Sequence, residues 1–305
     1  MVYTLSKNKC AEVVFRAATL LLKYCQKMDI HFLVLGVSGG LDSAVVLGIA
    51  AKARELGEKI GFQLTIVGLI LPCFSSIESK EYGRAAIKKF GAIEGYLNLG
   101  SDFIAIDKSF SNLNEQIAEI LGKRSYREIP EKDRKIAEGN IRARLRMITL
   151  RHIARLLNGM VLSTDNLSEY WMGFWTLDGD VGDYSPIQNL LKGHELYPIA
   201  RYLGVHQETI DAKPDDGLGI SAGDEAQLGA PYPVVDKVII KQIQHGLKIN
   251  GNLKQLESLT PISEVKDETI FSLVKRALKN AFKRKGPIML TRKQLGLPSI
   301  KSLKL

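Results

Sequence analysis

One short segment carries the side chains best suited to chemistry on phosphates. An apolar run, HFLVLG, leads through Val37 into Ser38-Gly39-Gly40-Leu41-Asp42-Ser43 and then into an alanine-rich apolar stretch. Glycines leave backbone N–H groups unshielded, and a helix that follows adds its positive N-terminal end. The segment is therefore predicted to be a strand, a phosphate-binding loop and a helix, with the two serines as further hydroxyl donors.

Asp42 determines what kind of phosphate site this would be. A carboxylate among phosphate-binding donors repels its ligand unless a divalent cation lies between them, and Mg²⁺ prefers oxygen ligands. The segment therefore predicts Mg²⁺ with a polyphosphate. No lysine follows the glycines as in GxxxxGK[ST], and Gly36, Gly39 and Gly40 do not have the GxGxxG spacing. A plain glycine turn between a strand and a helix is the alternative reading.

The elements around this segment alternate between short apolar runs and helical patterns, which is typical of βα units with a parallel sheet. Strands are predicted at residues 31–37, 65–71, 102–106 and 160–163. Helices are predicted at residues 42–56, 78–91, 110–122 and 132–157. In the last helix Ile141, Leu145, Ile148 and His152 recur at spacings of four, three and four, which predicts one apolar stripe.

The positive charge is concentrated at one end of the chain. The 305 residues include 42 Lys or Arg and 33 Asp or Glu, a net charge of +9 that raises the question of nucleic acid. Residues 269–305 hold ten of the basic residues and no acidic one, which leaves 32 against 33, a net of −1, in residues 1–268. We predict one domain, with residues 1–268 as its main part and 269–305 as a basic tail that closes over the substrate.

Composition and cysteine spacing exclude several classes of protein. A chain with 45% hydrophobic and 25% charged residues is neither disordered nor collagen-like. Cys10, Cys25 and Cys73 are widely spaced and form no CxxC, so free thiols in a reducing compartment are expected. The most apolar stretch, residues 30–54, is broken by polar and glycine residues, so no membrane span is predicted. A cytoplasmic protein is the resulting expectation.

SGGxDS after a strand resembles the PP-loop of the ATP pyrophosphatases, which cleave ATP between the α and β phosphates. Motifs further along resemble those of the NAD synthetases in order and spacing. They are residues 140–147, Ser163-Thr164-Asp165-Asn166 with Glu169, Gly173-Phe174, Gly179-Asp180, Gly182-Asp183, Pro186-Ile187, residues 224–229 with Tyr232, and Phe282-Lys283-Arg284. The resemblance covers about residues 10–290. No amidotransferase domain fits in the remaining length, so the ammonia-dependent form is expected.

The resemblance implies a fold and an activity. The fold would be α/β and Rossmann-like, of the adenine nucleotide alpha hydrolase type, with a parallel sheet and helices on both faces. The activity would be that of a ligase in NAD biosynthesis, which amidates deamido-NAD (nicotinic acid adenine dinucleotide) with ammonia and consumes ATP. NAD, AMP and pyrophosphate would form through an adenylated carboxylate, and the family implies a homodimer.

The resemblance also implies roles for single residues. Contacts to ATP fall on Gly36, Val37, Ser38, Gly39, Gly40, Leu41, Asp42, Ser43, Thr164, Lys192 and Asp215. Asp42 and Glu169 would hold Mg²⁺, and Arg144, Asp183 and Lys283 would contact deamido-NAD. The chain departs from the family at Asp215, where a threonine is usual, at Leu177, where a lysine is common, and at Phe282, where a histidine precedes the lysine.

Two other functions are compatible with the PP-loop alone. One is a PP-loop enzyme that adenylates a tRNA base or another carbonyl, and the other is a nucleic-acid-binding protein that uses the basic tail. A nucleic-acid surface usually interleaves basic and aromatic residues, whereas the tail has only Phe271 and Phe282. Nucleic acid is therefore not an expected partner.

Overall fold

The computed structural model describes residues 3–122, 128–215, 217–220, 223–286 and 290–295. Within these ranges one parallel sheet has the strand order β3-β2-β1-β4. Its strands are β1 (Phe32–Gly36), β2 (Thr65–Ile70), β3 (Ile93–Tyr96) and β4 (Met160–Val161). Val34 pairs with Val67 on one side and with Val161 on the other. The predicted parallel α/β fold is confirmed.

Most of the remaining described residues are helical. The helices are α1 (Lys7–Met28), α2 (Leu41–Glu58), α3 (Ile77–Phe90), α4 (Gly100–Leu121), α5 (Glu131–Leu156), α6 (Leu167–Met172), α7 (Tyr197–Leu203), α8 (Gln207–Asp211), α9 (Asp224–Leu228), α10 (Tyr232–Gln244) and α11 (Asp267–Lys279). Shorter turns are the π-helical Lys192–Leu196 and the 3₁₀ turns Leu253–Ser258 and Ala281–Arg284. In the described part of the chain, no helix combines the length and apolarity needed to cross a membrane.

The alternation of side chains along β1 separates two layers of core. Leu33 and Leu35 point into a cluster with α1, α2, α3 and α7. Val34 points the other way, into a cluster with α4 and α5. Since successive strand residues face opposite sides of a sheet, both faces are buried under helices. The helices cover both faces and leave the carboxyl ends of β1 and β4 open. This end of the sheet is called its open edge below.

A third hydrophobic cluster lies under α6, α10 and α11. In α11 the buried residues Ile270, Leu273, Val274 and Ala277 recur at the spacing of one helix face. The helix begins at Asp267, so the predicted start of the basic tail, residue 269, falls in its first turn. The first turns of the tail thus contribute to a core rather than to a solvated charge run.

The predicted strand at residues 102–106 is wrong, because those residues lie inside α4. The third strand along the chain is instead β3, whose four residues are mostly exposed. The sequence DFIAI alternates polar and apolar residues over too few positions to separate a strand from the first turns of a helix. A short exposed edge strand has little apolar pattern of its own.

The predicted stripe on α5 is also wrong in half of its members. Leu145 is buried, but Ile148 is 65% exposed and His152 is exposed. The buried face instead runs along Gly139, Ala143, Met147, Leu150 and Ala154. Three of these five residues are glycine or alanine, which allow close packing and contribute little to a hydrophobic periodicity. The orientation of the helix therefore differs from the one inferred from its large apolar residues.

Candidate active site

The loops at the open edge of the sheet surround a cavity of about 640 Å³. The loop after β1 forms one wall, from Gly36 to Ser43. The segment after β4 forms another through Thr164, Asp165 and Glu169, and Lys192 lies between them. Ligands of open parallel sheets bind at this edge, beyond the carboxyl ends of the strands.

The conformation of the glycine loop depends on Gly39. Its φ is +86°, and a Cβ atom at this position would collide with the carbonyl oxygen of Ser79. Only glycine fits such a place without strain. Ser38 Oγ accepts a hydrogen bond from the Gly40 N–H at 3.2 Å, and Ser43 Oγ donates to the Gly40 carbonyl at 3.1 Å. No side chain caps the start of α2, so its first N–H groups are available to an anion.

Lys192 lies at the centre of a cluster of carboxylates. Its Nζ is 2.9 Å from Asp42 Oδ2, 3.1 Å from Glu169 Oε1 and 3.6 Å from Asp224 Oδ2. The lysine is 4% exposed. Burial lowers the pKa of Lys192, but the attraction of Asp42 and the other acidic groups raises it well above its usual range. The ammonium is therefore charged, and three carboxylates outnumber it.

Asn166 connects two elements that are far apart in sequence. Its side chain caps α6 by accepting the Glu169 N–H at 3.0 Å, and Glu169 Oε2 accepts the Asn166 N–H in return at 3.3 Å. Asn166 Nδ2 donates to Asp42 Oδ1 at 2.9 Å. This capping box fixes Glu169 at the start of α6 and ties it to the start of α2. Burial, with Asp42 nearby, raises the pKa of Glu169, although Lys192 opposes this shift.

A buried polar network fixes the backbone at Lys192. Asp236 on α10 is fully buried and accepts hydrogen bonds from Ser168 Oγ, from the Gly193 N–H at 3.0 Å and from His194 Nδ1 at 2.9 Å. Ser168 Oγ in turn accepts the Lys192 N–H at 3.0 Å. These bonds hold the π-helical turn against α6, which places the lysine and Glu169 on adjacent elements.

The donor set of this cluster suits Mg²⁺. Within the described ranges, no group of three or more His, Cys, Asp or Glu side chains is arranged to hold a metal by itself. Mg²⁺ usually takes one or two carboxylates and completes its shell with phosphate and water oxygens. Asp42 and Glu169 both contact the same ammonium at the cavity wall, so both carboxylates reach one small region. The residues present fit such a shared ion.

The structure places the other predicted residues in two groups. Thr164, Asp215 and Lys283 line the cavity with the glycine loop. Arg144 is exposed, and its Nε donates to the Leu177 carbonyl at 3.2 Å. Asp183 bonds to Arg151 Nη1 at 2.6 Å and to the Val161 N–H at 2.8 Å. Asp183 thus holds β4 to its neighbours, and the cavity is not lined by it or by Arg144.

The arginines on either side of Arg144 do line the cavity. Arg142 donates to the Leu218 carbonyl, and its guanidinium lies 4.7 Å from the centre of the Phe103 ring. Arg146 donates to the Gly217 carbonyl at 3.2 Å and to the Leu71 carbonyl at 3.2 Å. The buried face of α5 passes through its small residues, so these two arginines face inward. Sequence periodicity calculated from the large residues missed them.

Two acidic residues of the cavity were also missed. Asp165 is 6% exposed, and its Oδ2 has no hydrogen-bond partner. Burial, with Asp180, Glu169 and Asp42 nearby, raises the pKa of Asp165 well above its usual range. Asp224, at the start of α9, accepts a hydrogen bond from the Tyr232 hydroxyl at 3.1 Å. Both belong to motifs noted in the sequence, but nothing in their spacing indicated that each would be buried.

Comparisons with known proteins agree on one family. The family model described as NAD synthase matches residues 13–287. The NH(3)-dependent NAD(+) synthetase of Thermococcus sibiricus is 31% identical over 280 residues, which is 91% of this chain and 96% of that protein. The enzyme with the same name from Pyrococcus horikoshii is 32% identical over 88% of this chain and 91% of its own length.

A solved structure described as an NMN synthetase from Francisella tularensis matches with a TM-score of 0.69 at 23% identity, over 94% of this chain and 99% of that one. At this level of identity the likeness shows a shared fold.

Proposed function

The chain belongs to the NAD synthase family, and from that membership we propose that it amidates deamido-NAD with ammonia and consumes ATP. The products are NAD, AMP and pyrophosphate. The observation that supports this most directly is the convergence of the glycine loop, Glu169 and Lys192 on one cavity. A PP-loop enzyme that adenylates tRNA is not favoured, because the relatives that cover most of the chain are named NAD synthetases.

The loop and the start of α2 bind the phosphates of ATP. The uncapped N–H groups at the start of α2 are available to an anion, and the hydroxyls of Ser38 and Ser43 lie in the same loop. Attack of the nicotinate carboxylate on the α-phosphorus releases pyrophosphate and leaves an acyl adenylate. Ammonia then displaces AMP and forms the amide. Lys192 keeps a positive charge beside the phosphates and holds Asp42 and Glu169 in place.

Mg²⁺ is the proposed metal, with Asp42 and Glu169 as its protein ligands. When it is bound, such an ion neutralises the charge that develops on phosphate oxygens. Asn166 holds Asp42 through Nδ2 and caps the helix that carries Glu169, so it orients both ligands. Lys192 contacts both carboxylates in the described structure and would share them with the ion.

A homodimer is proposed through the outer face of α4. The helix buries only three residues against its own chain, Gly100, Phe103 and Ala118. It exposes Ile104, Phe110, Leu113, Ile117, Ile120 and Leu121, with Ile120 at 83%. An apolar patch of this kind marks an interaction surface. Light scattering should give twice the chain mass, and Ile120→Glu should shift the protein to the monomer.

We further propose that the enzyme works in the cytoplasm. Cys10, Cys25 and Cys73 are free and buried. Burial raises the pKa of the Cys25 thiol to about 11, so it is protected from oxidation as a neutral thiol. Free thiols are expected in a reducing compartment.

The activity is tested by incubating the purified chain with ATP, Mg²⁺, ammonium and deamido-NAD. NAD and AMP should form in equal amounts, without ADP. Nicotinic acid mononucleotide serves as a parallel substrate and should give much less amide. No amide from either substrate, or ADP in place of AMP, would disprove the proposal.

A further inference from the structure

Two half-buried cations, Arg276 and Lys283, lie on the wall of the cavity, and both bond to backbone carbonyls. Lys283 Nζ donates to the carbonyl oxygens of Gly173 at 2.9 Å and Trp175 at 2.5 Å. Arg276 Nη1 donates to the Gln227 carbonyl at 2.8 Å. Within the described residues neither cation forms an ion pair with a carboxylate. Their nearest hydrogen-bond acceptors are therefore peptide carbonyls, and the Asp180 carboxylate attracts Lys283 without forming an ion pair with it.

Arg276 has an unsatisfied donor as well as an uncompensated charge. Its Nε is buried without a hydrogen-bond partner. The guanidinium carbon lies 5.1 Å from the centre of the Phe174 ring, so the planar group rests against an aromatic side chain that also lines the cavity. A buried N–H without an acceptor costs free energy, which an oxygen of a ligand would recover.

The two cations also destabilise each other. Burial lowers the pKa of Lys283, and the charge of Arg276 lowers it further. Burial also lowers the pKa of Arg276. Two like charges that are removed from water stay together at a cost, which is repaid when an anion binds between them or beside them. The pair thus has the electrostatics of an anion site.

The neighbouring residue in sequence cannot supply this function. Phe282 is 57% exposed, so the position before Lys283 gives no polar group to the cavity. Arg276 lies seven positions earlier, about two helical turns away, and its side chain reaches the cavity beside the lysine. A polar group from α11 is therefore available in place of one at residue 282.

We propose that Arg276 is a second substrate-binding cation, which together with Lys283 binds an oxyanion of the acidic dinucleotide. The inference rests on the proposed function, because it takes deamido-NAD as the ligand. That molecule has two kinds of oxyanion, the nicotinate carboxylate and the pyrophosphate. A guanidinium fork suits either, since each offers two oxygens at once.

Calorimetric titration of the full-length protein with deamido-NAD tests the proposal directly. Arg276→Gln should raise the Kd for deamido-NAD by about 10- to 100-fold, as expected for the loss of a charge-assisted hydrogen bond. The Kd for a nonhydrolysable ATP analogue should stay within about twofold. Lys275→Gln is the matched control, because it removes the adjacent charge, which faces Phe271 on the same helix. This control should leave both constants unchanged.

Two further ligands separate the possible sources of the oxyanion. NAD keeps the pyrophosphate and lacks the carboxylate, whereas nicotinic acid mononucleotide keeps the carboxylate. If Arg276→Gln weakens deamido-NAD and NAD equally, the bound group is the pyrophosphate. If it weakens deamido-NAD and the mononucleotide but not NAD, the bound group is the carboxylate. Either result supports the anion site.

An unchanged Kd for deamido-NAD in Arg276→Gln would overturn the proposal. If this variant does not fold, Arg276→Met removes the charge and keeps an unbranched side chain in the same place, and a Kd that matches the wild type in this variant has the same meaning. The proposed function fails differently, because a wild-type protein that makes no NAD disproves it whatever the variants bind.

Discussion

The buried Lys192 and the half-buried pair formed by Arg276 and Lys283 are cations of one cavity with opposite surroundings. Lys192 has three carboxylates within 3.6 Å. Arg276 and Lys283 bond to carbonyl oxygens. The first cation is therefore paired with acidic groups of its own chain, whereas the proposed partner of the second pair is an anion of the ligand.

The role of a cation in this cavity depends on the groups that surround it. A cation that is surrounded by carboxylates orients them, and its removal leaves them to repel one another. A cation that is held by peptide dipoles keeps its charge available for recognition. Substitutions in the two regions should therefore affect different measurements, stability in one and ligand affinity in the other.

The largest effect on stability is expected for Lys192→Met. The change leaves Asp42, Glu169 and Asp224 without their shared ammonium, and breaking a buried ion pair costs about 3–5 kcal/mol. Urea unfolding should show a loss of that size. Lys283→Met is the comparison, and its unfolding free energy should change by about 1 kcal/mol, because the loss of two bonds to carbonyl oxygens is offset by the removal of a charge that burial destabilises. Equal losses in the two variants would contradict the distinction between the regions.

The next effect concerns catalysis. Asp42→Ala removes a proposed metal ligand and should lower kcat by about 10²- to 10³-fold, the size found when a group that stabilises transition-state charge is lost. Circular dichroism should show an intact fold. Glu58→Ala, at the far end of the same helix, is the matched control and should keep full activity. Full activity in Asp42→Ala would remove the metal assignment.

The sequence was sufficient to predict the phosphate-binding loop, because an apolar strand, the glycines of SGGLDS and a helix start follow one another within a few residues. It was not sufficient for Arg142 and Arg146, since half of the buried residues of α5 are glycine or alanine, which contribute little to a hydrophobic periodicity. The contacts of Lys192 with Asp42 and of Arg276 with Gln227 join residues that are distant in the chain. Only the packing of α6, α10 and α11 brings such residues together.

The roles that the resemblance implies for Arg144 and Asp183 stay predictions. Both lie outside the residues that line the cavity of this single chain. Asp183 already bonds to Arg151 and to the backbone of Val161. For Thr164, Lys192 and Lys283 the position in the cavity agrees with a ligand contact.

Arg284 is adjacent to Lys283 in sequence, but its substitution is expected to affect stability rather than deamido-NAD affinity. Its guanidinium donates to the carbonyls of Trp171 at 2.9 Å, Ile249 at 2.7 Å and Ala277 at 2.8 Å. Arg284→Ala should lower the unfolding free energy by about 2–3 kcal/mol, because these buried acceptors lose a charged donor. Deamido-NAD affinity, measured in the folded fraction, should fall no more than ATP affinity. A selective loss of deamido-NAD binding would place Arg284 with the ligand-binding cations instead.

The smallest effect is a shift in pH dependence. Burial and Arg276 lower the pKa of Lys283, Arg144 adds to this, and Asp180 opposes it. Because the folded pKa is below the unfolded one, the folded state holds fewer protons in that interval, so stability rises as pH rises through it. Affinity for deamido-NAD follows the opposite sign, since deprotonation removes the positive charge that binds the anion.

Arg276→Gln removes one of the charges that lower the pKa of Lys283. The loss of deamido-NAD affinity should therefore begin at a higher pH in this variant than in the wild type, by roughly one pH unit or less. Titrations between about pH 7 and pH 10.5, the usual range below and up to the lysine pKa, measure the shift. Arg144→Gln is the control, with a smaller shift in the same direction. An unchanged midpoint in Arg276→Gln would show that the two cations do not act on one another in solution.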